Sequence, residues 1–256
     1  MRYMAVITLP ASHFVGTAVP ETAAPPYNAL SEARRLLRCV RAATLATLQP
    51  GSGFPLATLT AIATDFDGTP ILLMSQLSTH TRHLQADGRC SLLLAQGGKG
   101  DPLAHPRLSV VGTAHKITEP AQRQQLRVRF LNRNPKAALY ADFGDFSFWR
   151  VELQQAHLNG GFGKAAEFAG GALVCPVPEG LAQAEAGLVD RLNAECTATL
   201  KVRVIAGGGA AQSWRASGAD ALGIDLAAGE ALFRLDFDDA CADMAAMGRQ
   251  MALICR

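Results

Sequence analysis

The stretch GTPILLMSQLSTHTRHLQADGRCSLLLA, Gly68 to Ala95, decides the fold. Pro70 to Met74 is an unbroken apolar run of strand length, and Cys90 to Ala95 is a second. Between them a polar loop opens a short helix, Ser78 to Ala86, which the Asp87-Gly88 turn ends. The first N–H groups of such a helix lack intrahelical partners and carry the positive end of its dipole. A loop that adds hydroxyls, an imidazole and a guanidinium there has the donors an anion needs. The plain alternative is a capped turn, with Ser78 or Thr79 satisfying the helix start.

Working upstream, Asp67-Gly68 is a turn, and Ala43–Leu48 (ATLATL) and Leu56–Thr64 (LATLTAIAT) read as strands around the turn signal PGSGFP. Leu30, Ala33, Leu37 and Val40 recur at helical spacing, with Arg34, Arg35, Arg38 and Arg41 on other faces. Those arginines read as a solvated helix face rather than a phosphate site. Residues 1–27 are rich in Pro, Ala and Thr without period, and read as a mobile lead-in.

Downstream, QGGKGDPLAHP is a loop; Lys99 is followed by Gly100 rather than Ser or Thr, which rules out a P-loop. Arg107–Lys116 is another strand, Glu119–Leu131 a helix ending before Asn134-Pro135, Ala137–Ala141 a short helix and Phe146–Leu153 a strand. Ala156–Asn159 and Gly160–Gly163 close the region. Some six short strands joined by turns imply an antiparallel barrel or sandwich rather than alternating α/β units.

Composition agrees with a folded chain: 49% of residues are hydrophobic and 18% charged. A formal charge of +2 with 6% aromatic residues argues against a nucleic-acid binder. No apolar run reaches the roughly 20 residues a membrane span needs, and Pro10 and His13 interrupt the apolar run Met4–Leu9, against a secretory signal. Six cysteines without a C-x-x-C pair read as reduced, buried hydrophobes of a cytoplasmic protein.

From Ala165 to Leu181 the composition shifts to Ala, Gly and Pro, which reads as a connection between domains. Glu179–Leu192 then reads as a helix, Thr199–Ile205 and Ala231–Phe237 as strands, and Asp239–Cys255 as a final helix. Met244, Met247 and Met251 are at helical spacing on it and are expected to pack on the small sheet. Gly207–Gly209 lack the strand and helix context of a dinucleotide site and read as a hairpin turn.

The ordered blocks PLATLTAIATDFDGTPILLMSQLSTHTRHLQADGRCSLLLA, GKGDPLAHPRLSVVGTA, RFLNRNPKAALYADFGDFSFWRVE and AHLNGGFGKA resemble the flavin-binding split-barrel superfamily typified by pyridoxamine 5′-phosphate oxidase. Within it they are most similar to the haem-utilisation, HugZ-type branch. The resemblance implies an α+β protein: residues 1–27 as lead-in, a split β-barrel over 28–165, a linker over 166–180 and a small α/β domain over 181–256. It further implies a homodimer holding FMN at the subunit interface, with haem the alternative cofactor. On this resemblance Thr58, Leu59 and Thr60 lie beneath the flavin, Ser75 and Gln76 end the neighbouring strand, and Ser78, Thr79, His80, Thr81 and Arg82 surround the phosphate.

Two departures stand out. His80 occupies the place of a lysine in the oxidase prototype, and an imidazole is a weaker, pH-dependent cation. Where relatives of the haem branch show Met-Asn-x-Asp-His, this chain has Leu192-Asn193-Ala194-Glu195-Cys196. A thiolate can ligate haem, but Cys196 reads as a packed hydrophobe. Singly, His80, His83, His105, His115 and His157 are more simply structural than iron ligands, and no zinc-binding spacing is present. With no Ser/His/Asp triad or paired carboxylates, no catalytic residue is nominated. Function narrows to an FMN-dependent oxidoreductase, including a haem-degrading relative, or a non-catalytic haem- or flavin-binding protein, with neither nucleic acid nor membrane as partner.

Overall fold

The computed structural model describes residues 27–161 and 164–256, so the expected lead-in (apart from Tyr27), His13, Phe162 and Gly163 lie outside the described residues. Strands β1 (Ala42–Leu48), β2 (Pro55–Thr64), β3 (Pro70–Ser75), β4 (Arg89–Ala95), β5 (Arg107–Lys116), β6 (Phe146–Asn159) and β7 (Ala165–Ala169) form one sheet in the order β3-β2-β1-β4-β5-β6-β7. β3 also pairs antiparallel with β6, Leu72 opposite Trp149, which closes β1 to β6 into a six-stranded barrel and leaves β7 outside the closure. Closure satisfies backbone groups that an open sheet would leave at its edges.

Alternation sets the register. In β1 the residues Ala43, Leu45 and Thr47 point inward while Thr44, Ala46 and Leu48 point out. Leu45, Leu72, Met74, Leu92, Leu108, Val110 and Trp149 build the interior, joined by Leu36 and Leu37 of helix α1 (Ala29–Cys39). Each such leucine contributes about 1.5–3 kcal/mol by leaving water. The run Pro70–Met74 is apolar throughout because β3 is covered on both faces: helix α3 (Pro120–Arg133) packs Leu126 and Phe130 on Ile71, Leu73 and Phe148 outside the barrel. Gly112 sits at a bulge where β5 approaches β6 so closely that a Cβ would lie 2.1 Å from the Glu152 carbonyl oxygen.

The second unit packs helices α4 (Leu181–Glu195), α5 (Thr197–Ala206) and α6 (Met244–Ile254) with a sheet ordered β10-β9-β8, made of β8 (Arg215–Asp220), β9 (Gly223–Ala228) and β10 (Ala231–Asp236). The fold class is α+β, as expected. Met247 and Met251 are buried in this unit's core, as the methionine spacing implied.

Several sequence expectations are corrected. Thr199–Ile205, β-branched and apolar, is helix α5 rather than a strand, because Leu200 and Val204 lie at i and i+4 on the face that meets the core. Gly207–Gly209 therefore end a helix instead of joining two strands, with Gly208 at φ 83°. Strands β8 and β9, in which Ala, Gly and Asp predominate, carry little β-propensity and form because Ala216, Ala219, Ile224 and Leu226 pack into this core. The Ala/Gly/Pro-rich connection begins with β7, which pairs with β6. The short helix expected at Ala137–Ala141 is a 3-10 turn at Pro135–Leu139, and the last helix starts at Met244, capped by the Asp243 side chain on the Ala246 N–H.

The cysteines are not all free. Cys196 and Cys255 form a disulfide that ties the α4–α5 junction to the end of α6; two positions far apart in sequence meet only once the three helices pack. Cys39, Cys90, Cys175 and Cys241 are free.

Nor are the arginines of α1 a solvated face. Arg38 is 1% exposed and its Nε donates to Asp220 Oδ2 at 2.6 Å across the seam between the two units. Arg234 donates to the other Asp220 oxygen at 2.5 Å and to Asp225 at 2.7 Å. Arg129 pairs with Glu185 of α4 and also reaches the Thr64 carbonyl at 2.9 Å, while Arg133 donates to the Val40 carbonyl at 2.7 Å. Burial pushes the Asp220 carboxyl up, but the Arg234 and Arg38 guanidiniums together hold it well below the usual carboxylate range. Gly68, in the Asp67-Gly68 turn, makes room for Arg38: a Cβ there would lie 2.5 Å from its guanidinium.

Candidate functional site

β3 ends at Ser75, and the chain then turns into helix α2 (Thr79–Ala86). The turn is held from outside. Ser75 Oγ donates to Asp145 Oδ2 at 2.5 Å, and the Gln76 N–H donates to the Asp145 carbonyl at 2.8 Å, which fastens this loop to the loop that precedes β6. Ser78 occupies the N-cap position, yet its side chain makes no cap bond. Its hydroxyl instead donates to the Ser75 carbonyl and meets Thr81 Oγ1, both at 2.7 Å. The first turn of α2 thus starts without a side-chain acceptor, which the capped-turn alternative would have supplied.

α2 is anchored to the barrel by its histidines. His83 is buried, with Nδ1 3.0 Å from Thr47 Oγ1 on β1. One turn earlier His80 places Nδ1 3.1 Å from Thr58 Oγ1 on β2, whose hydroxyl also lies 3.3 Å from the Leu45 carbonyl. His80 is half-buried, and burial, reinforced by the nearby His83, holds its pKa below the usual imidazole value. At neutral pH the ring is uncharged. Arg82 is exposed, its guanidinium 3.3 Å from Thr79 Oγ1.

The loop therefore brings Ser75, Gln76, Ser78, Thr79, His80, Thr81 and Arg82 together with Thr58, while Thr60 is buried and bonded to its own strand at the Ala61 carbonyl. Leu59 points the other way, onto the outer barrel wall, and is 74% exposed. Around the loop three large apolar side chains are exposed: Leu77 is 80% exposed, and Leu139 and Phe143, on the segment leading to Asp145, are 79% and 58% exposed. Asp145 and these apolar neighbours carry no local sequence signal, because they join the site through the Ser75–Asp145 and Gln76–Asp145 bonds.

Beside the site the outer wall carries a run of uncharged side chains on several strands. Ala57 and Leu59 of β2, Thr44 and Ala46 of β1, and Ser91 and Leu93 of β4 stand in register across it, and Val111 of β5 continues the row of Ser91. A groove of about 360 Å³ runs over this wall past Leu48, Pro55 and Val111.

A phosphate would find the first-turn N–H groups, Thr79 and Arg82 here, but would also meet the Asp145 carboxylate and a neutral His80. A haem would find an imidazole nitrogen, apolar side chains for the porphyrin and a guanidinium for its propionates. Among the described residues no group of three or more His, Cys, Asp or Glu could hold a metal ion by itself, and no helix is long and apolar enough to cross a membrane.

The comparisons with known proteins agree with the architecture. The sequence model of the CREG β-barrel family matches residues 25–170. A crystal structure of a protein of unknown function from Agrobacterium tumefaciens superposes with a TM-score of 0.78 at 32% identity, covering 92% of this chain and 100% of that one. A heme-binding protein from Mycobacterium smegmatis superposes with a TM-score of 0.54 at 25% identity over 90% of this chain and 96% of that chain. The chloroplastic heme oxygenase HOZ of Arabidopsis thaliana is 40% identical over 106 residues, 41% of this chain and 31% of that protein, so the match spans about a third of its length. The expected barrel fold, with haem-related proteins among those it is similar to, is borne out.

Proposed function

Since the chain belongs to the CREG β-barrel family, we propose that it is a haem-handling protein whose homodimer binds haem at the loop Ser75–Arg82. The observation that carries this reading is the make-up of that loop: a neutral imidazole, an exposed guanidinium and three exposed large apolar side chains on two bonded segments. Exposed apolar side chains gathered around polar groups are the usual composition of a ligand or partner surface. The haem-related relatives support the same direction.

A bound haem supplies redox-active iron. The chain's own residues bind and orient it: Arg82 neutralises a propionate, Leu77 and Phe143 exclude water from the ring faces, and the uncharged wall around Leu59, Thr44 and Leu93 meets a second copy. Haemin titration of the full chain, followed in the Soret region, tests the reading; saturable one-to-one binding is the expected result, and no spectral change overturns it. Adding an electron donor in air then separates enzyme from carrier. Loss of the Soret band with a biliverdin-like product marks a haem-degrading enzyme, and a stable complex marks storage or delivery.

The uncapped start of α2, with Thr79 and Arg82 beside it, favours a second reading, an FMN-dependent oxidoreductase with the flavin phosphate on those groups. Quenching of flavin fluorescence on titration supports it, and an unchanged signal removes it.

A further inference from the structure

We infer that Nε2 of His80 is the atom of this chain that ligates the haem iron, and that Thr58 positions it by fixing the imidazole tautomer. This rests on the haem reading above and deepens it.

The argument is one of hydrogen-bond direction. Thr58 Oγ1 lies 3.3 Å from the Leu45 carbonyl oxygen and 3.1 Å from His80 Nδ1. A carbonyl only accepts, so the single hydroxyl hydrogen of Thr58 serves Leu45, and the Thr58 oxygen is left to accept from His80. Both bonds form together only when the ring proton sits on Nδ1. Nε2 then keeps its lone pair, and no protein group among the described residues bonds to it. This is the arrangement of a metal-ligating histidine, which donates its other ring N–H to an oxygen that fixes ring orientation. The Leu45–Thr58 pairing of β1 and β2 builds that oxygen into the barrel wall, so the imidazole is aimed by the scaffold rather than by a loop.

The other candidate ligands lack some part of this. His83 makes the matching bond to Thr47 but is 5% exposed, with no access for a porphyrin. His105 has Nε2 3.0 Å from the Lys99 carbonyl, so its proton is held on that nitrogen. His115 and His157 stand 3.5 and 3.6 Å from Glu152 and Glu167, every partner more than half exposed, and no close bond sets their tautomers. Cys196 is closed to iron by its disulfide with Cys255.

The test is haemin titration of the full chain as wild type, His80→Ala, His80→Gln, Thr58→Val and Thr58→Ser, read by Soret position, electron paramagnetic resonance and the iron–nitrogen stretch in resonance Raman. Wild type is expected to show a nitrogen-ligated spectrum that His80→Ala and His80→Gln both lose, with added imidazole restoring it in His80→Ala. Thr58→Val is expected to weaken haemin binding about tenfold and to shift the iron–nitrogen stretch, and Thr58→Ser to restore both. Wild-type spectra in both His80 variants overturn the ligand assignment while leaving haem binding intact. An unmoved stretch in Thr58→Val overturns the positioning role. A wild type that binds no haemin overturns this inference together with the reading beneath it.

Discussion

The seam between barrel and small domain and the surface around Ser75–Arg82 use charge in opposite ways. At the seam Arg38, Arg129, Arg133, Glu185, Asp220 and Arg234 are all less than a tenth exposed, and the acids there accept from guanidiniums or backbone N–H groups. Around the loop, Leu77, Leu139 and Phe143 face solvent, as Leu59 does on the outer wall, while the central imidazole is neutral. Buried charges persist only when paired and hydrogen-bonded, so the seam is a structural joint. Large apolar side chains gathered on a surface are stable there when something covers them, and the proposed haem and second copy would cover the loop and wall.

The strongest challenge to that contrast is to unpair the seam. Asp220→Ala would leave Arg38 and Arg234 buried without their shared carboxylate, and is expected to destabilise the fold by about 3–5 kcal/mol in urea unfolding. The double change Arg129→Met with Glu185→Leu removes both partners of the other pair, and its expected cost is close to zero or a gain. A loss as large as that of Asp220→Ala would mean that the bonds of Arg129 to the Thr64 and Ala219 carbonyls carry the joint.

Reduction of Cys196–Cys255, which closes a sequence separation of 59 residues, is expected to cost about 2–4 kcal/mol. A lowered melting temperature in dithiothreitol, with mass spectrometry showing two added hydrogens, is the check. An unchanged temperature would mean that the Arg203 bonds to the Leu253 and Ile254 carbonyls already hold the end of α6.

On the outer wall, Leu59→Glu is expected to convert the proposed dimer to a monomer in light scattering while changing monomer stability by only about 0.5 kcal/mol. A wild type that is already monomeric would remove the second copy from the wall.

The smallest effect concerns pH. Because the native His80 pKa is depressed, the unfolded chain takes up this proton first as pH falls. Its contribution to stability is therefore whole above the ordinary imidazole value and is lost as pH falls from there towards the native one. Urea midpoints between pH 7.5 and 5.5 should fall slightly, and less so in His80→Gln.

Much of this was legible in the chain. Alternation in ATLATL, the apolar run PILLM and the turns at Asp67-Gly68 and Asp87-Gly88 mark the barrel strands, because strand period and turn chemistry are local properties. The small domain was harder to read. VRVI has strand-like residues but is helical, and RASGAD has few strand formers but pairs in a sheet; in both, contact with a shared core outweighs weak propensity. The site was half legible: the Ser/Thr/His/Arg loop is contiguous, whereas Asp145, Leu139 and Phe143 join it from about 65 residues away.

The sequence by itself determined the strand periods, the turns and the polar loop at a helix start, since each depends on residues within one or two turns of one another. Only the tertiary structure decided which side chains meet. It turned Arg38 from an expected surface charge into a buried partner of Asp220, and joined Cys196 to Cys255. It also set Thr58 between Leu45 and His80, so that the proton rests on Nδ1. Charge burial, cross-links and tautomers depend on the distance between groups far apart in the chain, and that distance exists only once the barrel has closed and the second domain has packed against it.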